Sequence, residues 1–108
     1  MKPSAVIVLA ILSLPRWGIA ISLADAPPQF SGGDGSSVAA AVVIHATRES
    51  DGIRAEHTWL REHHPGAKIT TQSLVSSGGR MYDALDVTTA DGTTSKYYFD
   101  ITEYFGKL

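Results

Sequence analysis

Hydrophobic and polar residues alternate most regularly towards the C-terminal end of the chain. From Thr94 to Thr102, Tyr97, Phe99 and Ile101 share one parity, and Lys96, Tyr98 and Asp100 share the other. A period of two predicts a strand with one buried face. Arg80 to Thr89 places Met81, Asp83, Leu85 and Val87 on one parity and predicts a second strand. Asp91-Gly92 lies between the two, and that pair favours a tight hairpin because glycine enters the positive-φ region without steric cost. Lys68 to Val75 predicts a preceding strand, joined to the second through Ser76-Ser77-Gly78-Gly79. It is the most polar of the three and is expected at a sheet edge.

The period changes before this meander. Gly52 to His64 predicts a helix whose apolar face is supplied by Ile53, Ala55, Trp59 and Leu60, with Arg54, Arg61 and Glu62 pointing outward. Ser50 or Asp51 is expected to cap its first turn, and Pro65-Gly66 to end it. His63-His64 fall in the last turn, where positive charge complements the helix dipole. Val38 to Ala46 is ambiguous: its alanines suit a helix, whereas Val42, Val43 and Ile44 suit a strand. The second half reads as a strand after a helical turn, with the choice left open. Residues 25–37 are rich in proline, glycine and serine and predict a flexible linker. The expected fold is α+β, one main helix packed on a small antiparallel sheet of three to four strands. Its single domain spans residues 38–108, anchored by Ile53, Trp59, Leu60, Leu85, Val87, Tyr97, Phe99 and Ile101.

The N-terminal segment follows another logic. Lys2 precedes the apolar run Ala5 to Leu14, and Ser22-Leu23-Ala24 offers small residues for cleavage after Ala24. Basic start, apolar middle and small-residue end predict a signal peptide over residues 1–24. The alternative is an uncleaved anchor, the one way in which this reading touches a membrane. Pro15 and Arg16 interrupt that alternative. Localisation is therefore expected to be periplasmic or secreted. The 108-residue chain carries nine basic and eleven acidic residues, a net charge of −2. Cleavage would remove Lys2 and Arg16 and leave a more acidic domain of 84 residues. No basic cluster exists to neutralise a phosphate backbone, so nucleic acid is not an expected partner. The chain has no cysteine, which excludes disulfides, thiolate metal sites and a thiol nucleophile.

Candidate chemistry is sparse. Glycine-rich Gly32 to Gly35 lacks the lysine of a phosphate loop, and no G-x-S-x-G elbow occurs. His57 and His64 share a helix face about 10 Å apart, too far to ligate one metal directly. Glu56 beside His57 invites an acid–base reading, but helical neighbours diverge by about 100°. Glu56 is expected instead to bond Arg80 or a tyrosine hydroxyl. Asp83 occupies an apolar parity, so its carboxyl needs a partner, with Arg54, Arg80 and Lys96 as candidates. Tyr104 and Phe105 either pack on the core or form a contact patch.

Tyr82 to Gly92 followed by Tyr98-Phe99-Asp100 resembles the end of a PepSY-type domain, with a tyrosine-initiated strand, an Asp-Gly hairpin and a strand ending in aspartate. A helix before a three-stranded meander is also similar to cystatin-like modules. The resemblance covers roughly residues 52–102 and implies a small exported bacterial module of regulatory or inhibitory type, with no catalytic residue carried over. The glycine-rich lead-in and the aromatic tail depart from that pattern. The functional expectation is a non-enzymatic binding or inhibitory module, without cofactor, contacting an envelope or secreted protein. Its contact residues would be Lys96, Tyr98, Asp83, Tyr104 and Phe105. The alternative is a small metal-binding or hydrolytic protein using His45, His57 and Glu56.

Overall fold

The computed structural model describes residues 29–108; the expected export segment and its cleavage site lie outside them. Five strands and one helix follow in the order β1 (Phe30–Gly32), β2 (Val42–Ile44), α1 (Glu49–His63), β3 (Lys68–Ser77), β4 (Arg80–Thr88) and β5 (Thr94–Asp100). All five strands form one sheet in the order β1-β2-β5-β4-β3. The fold is α+β, but the sheet is mixed rather than purely antiparallel. β1–β2, β5–β4 and β4–β3 are antiparallel, whereas β2 and β5 run parallel through Val42↔Phe99 and Val43↔Asp100. The cause is topological: α1, β3 and β4 intervene between β2 and β5, a crossover long enough to bring β5 back in the same direction. β2 resolves the ambiguous segment as a strand preceded by a turn in which the Ala40 N–H bonds Ser37. Phe30–Gly32, inside the stretch read as a linker, pairs with β2.

The meander follows its sequence pattern closely. Gly78 and Gly79, at φ +58° and +78°, make the two-residue turn between Ser77 and Arg80. Positive φ at both positions matches the strand twist, and glycine adopts it without a Cβ clash. The register Asp83↔Phe99, Leu85↔Tyr97 and Val87↔Ser95 places those residues on the face that α1 covers. Tyr82, Ala84, Asp86, Lys96, Tyr98 and Asp100 fall on the other face. β3 is one of the two edge strands, opposite β1, and is exposed along nearly its whole length.

The core joins Trp59 and Leu60 of α1 to Val42, Ile44, Leu85, Val87, Phe99, Ile101 and Tyr104. Trp59 meets Phe99 edge-on at 5.4 Å between ring centres. Ile53 departs from expectation: it is 44% exposed. The buried positions of α1 are Gly52, Ala55, Glu56, Trp59 and Leu60. They form the i, i+3, i+4, i+7, i+8 stripe of one helix face, and Ile53 stands off it. Tyr97, expected as a core anchor, is only partly buried against this cluster.

The helix begins at Glu49, three residues earlier than predicted, and neither Ser50 nor Asp51 caps it. Arg48 occupies the cap position without a side-chain bond. The chain's own tail serves instead, with the Glu49 N–H donating to the Lys107 carbonyl at 2.6 Å. Gly52 explains how the tail docks. A methyl group at that position would overlap the Tyr104 ring, so the absent side chain leaves the seat in which Tyr104 lies. No helix among the described residues is long and apolar enough to cross a membrane.

Candidate functional site

The seat of Tyr104 is also where the chemistry of the inner face concentrates. Helical spacing from Gly52 places Glu56 on the buried stripe of α1, and strand parity places Asp83 on the covered face of β4. Both carboxyl groups are 2% exposed. The Gln72 side-chain amide donates to Asp83 Oδ1 at 3.1 Å. Glu56 lies within hydrogen-bonding reach of Asp83 and Tyr104, although neither its Oε2 nor the Tyr104 hydroxyl makes a bond of good geometry in its buried position. None of the cations expected for Asp83 reaches it. Arg54 bonds Asp51, Arg80 bonds Asp100, and Lys96 bonds Asp86, at 3.0, 2.6 and 3.0 Å.

Two buried acids without a cation are electrostatically costly, and a proton offsets the cost. Burial, and then the neighbouring Asp83 carboxyl, push Glu56 from 4.5 up to about 9. Burial likewise raises the Tyr104 hydroxyl, with the charges of Glu56 and Asp83 adding to it. Near neutral pH Glu56 therefore keeps its proton. The cluster holds one displaceable proton among two carboxyl groups and a phenol.

The cluster opens outward. A groove of about 240 Å³ between the first half of α1, β3 and the C-terminal turn has Asp83, Tyr104, Gln72 and Glu49 among its walls. Ile53, Leu74 and Phe105 also line it, and these are exposed apolar side chains at 44%, 57% and 40%. Glu49 and Asp83 are the carboxylic side chains of the wall and no lysine, arginine or histidine lines it, so the groove is acidic within and apolar at its rim.

The residues named from sequence thus divide. Asp83, Tyr104 and Phe105 meet in this groove. Lys96 and Tyr98 lie on the opposite face, Lys96 paired with Asp86 and Tyr98 half-buried. His45, His57 and Glu56 do not converge. His45 follows β2 and bonds Ser31 and Glu103, and His57 is exposed on α1 beside His64 and Arg61. No cluster of three metal-ligating side chains exists among the described residues. The burial of Glu56 was recoverable from sequence, because counting from Gly52 puts it in step with Ala55, Trp59 and Leu60. Comparison with family models, curated proteins and solved structures gives no match.

Proposed function

We propose that this chain is a protein-binding module whose groove between α1 and β3 takes an extended, basic segment of a partner protein. The observation that carries the reading is Asp83, in the wall of an apolar-rimmed groove with no cation on it and with the buried Glu56 carboxyl as its neighbour. A lysine or arginine suits it on two counts. The charged head supplies the missing cation, and the long alkyl stem packs along Ile53, Leu74 and Phe105. β3 adds a main-chain component. It ends the sheet, so an incoming extended segment can pair with it as a sixth strand. From such a strand β4 is two strand spacings away, about 10 Å. Among side chains, lysine and arginine approach that reach, which makes the groove selective for them. In an exported chain the partner would be an envelope or secreted protein. The reading stands on the groove and does not depend on the likeness to PepSY-type domains.

Calorimetric titration with two ten-residue peptides tests it, one alternating lysine with valine and one alternating glutamate with valine. The lysine peptide should bind and the glutamate peptide should not. Asp83→Asn and Leu74→Ser should each weaken binding about tenfold, the scale of one lost charge-assisted contact for the first and of one lost apolar contact for the second. Asp86→Asn, on the far face, should leave it unchanged. Equal loss in the Asp83 and Asp86 variants would reduce the interaction to general attraction between an acidic protein and a basic peptide, and the groove reading would fail.

A further inference from the structure

On the face away from the groove, three side chains from separate parts of the chain stand in line. Ser31 of β1 and His45 after β2 are diagonal neighbours across the β1–β2 ladder, and Glu103 reaches His45 from the turn after β5. His45 Nε2 lies 2.7 Å from Ser31 Oγ, and His45 Nδ1 lies 2.8 Å from Glu103 Oε2. A carboxylate only accepts, so Nδ1 carries the ring proton. In the neutral ring Nε2 is then the acceptor, and the Ser31 hydroxyl donates to it. Nucleophile, base and orienting acid each use the atom that the general serine–histidine–acid arrangement requires.

The backbone beside Ser31 is open as well. The bonds His45 N–H to Gln29 carbonyl and Gly33 N–H to Ala41 carbonyl fix the alternation of the ladder. Ser31 and Val43 form the hydrogen-bonded pair between them, so the Gly32 N–H points away from β2 towards the edge. Gly32 holds φ +85°, and a Cβ there would lie 2.5 Å from the Ala41 carbonyl oxygen. Only glycine seats the chain this way. The Gly32 amide, one residue after the hydroxyl, is the candidate donor to a developing oxyanion.

We propose that Ser31, His45 and Glu103 form an acyl-transfer site for small, unhindered esters, separate from the docking groove. Ser31 Oγ bonds to the ester carbonyl carbon while its proton passes to His45 Nε2. The bond to the leaving alcohol breaks, and His45 gives that proton to the alcohol oxygen. Water then attacks the acyl-Ser31 carbonyl by the same route, releases the carboxylic acid and restores the hydroxyl. Glu103 is a positioning residue that holds the ring and offsets the charge on protonated His45. The relay is on the surface, with the His45 and Glu103 side chains 34% and 45% exposed, so water reaches it and the acyl group it takes is small.

The test uses the purified chain with 4-nitrophenyl acetate and, separately, a fluorophosphonate, followed by peptide mapping. One acetyl or phosphonyl group should appear on Ser31. Ser31→Ala, which removes only an exposed hydroxyl, should abolish it, and His45→Ala should slow it by about a hundredfold or more. Glu103→Ala should slow acylation about tenfold, and added acetate should restore part of the rate, which a merely structural contact would not allow. Circular dichroism confirms that each variant is folded. Labelling of Ser31 no faster than of Ser36 or Ser76, or labelling undiminished in His45→Ala, would overturn the proposal and leave the three residues as a tie between β1 and the C-terminal turn.

Discussion

β4 carries two aspartates three residues apart, and they meet opposite fates. Asp86 faces outward, bonds Lys96 and Thr71, and has its pKa lowered, most by Thr71 and then by Lys96. Asp100, on the same outer face but opposite Tyr82 on β5, is buried, yet Arg80 and Thr102 outweigh that burial and hold its carboxyl below the usual range. Asp83 faces inward and receives one neutral amide, and its neighbour Glu56 is forced to keep a proton. The outer acids are matched within the fold. The inner pair is not, and its Asp83 lines a groove whose rim is apolar. In the proposed docking, the basic side chain of the partner supplies the cation that the fold leaves out at Asp83.

The contrast yields measurable differences, the largest at Glu56. Unfolded, this carboxyl ionises near its ordinary value; folded, it holds its proton to about 9. Between those values the folded state binds the extra proton, so this group's contribution to stability is full at low pH and is lost as pH rises through the window. Glu56→Gln should match the parent in unfolding free energy near pH 4 and exceed it near pH 9, by an amount on the order of a few kcal/mol. A difference between the two proteins that does not change with pH would show that Glu56 ionises normally, and the contrast with Asp86 would vanish. Cation binding should expel the same proton. The lysine peptide should therefore bind more tightly as pH rises from about 6 to about 9, with proton release visible in buffers of different ionisation heat.

A smaller effect belongs to Tyr104. Its hydroxyl faces Glu56 in a buried seat but makes no bond of good geometry there, so Tyr104→Phe should raise stability by about 1 kcal/mol while weakening the lysine peptide. Denaturant titration that shows the variant less stable would reveal a bond that the hydroxyl does make. The smallest change is expected on the outer face. Lys96→Ala removes an exposed ion pair and should move the melting temperature little, with any difference gone at high salt. A large drop there would erase the distinction between the two faces.

The meander was legible because its strands are long enough to show a period and its turns use Gly78-Gly79 and Asp91-Gly92. Helix α1 was legible except at its start, where the cap is a tail carbonyl that no local signal announces. β1 and β2 have three residues each, too few for any period, and β2 finds Phe99 far along the chain. Asp83 was marked by a charge on an apolar parity, but the cation sought for it does not exist among the described residues. Ser31 was hidden because composition assigned its stretch to a linker. Its meeting with His45 and Glu103 depends on sheet order, which one sequence pattern does not contain.

The parallel seam between β2 and β5 has a further consequence, in time rather than in energy. α1, β3, β4 and β5 are neighbours in sequence and can form through local contacts. Val42 and Ile44 can be enclosed only after β5 exists to receive β2, and α1 gains its last cap only from Lys107. Loop closure over such separations slows the search, so this small domain should fold slowly for its length. Until that seam closes, the two halves of the Ser31–His45–Glu103 line stay apart, whereas the hairpin that carries Asp83 can already be in place.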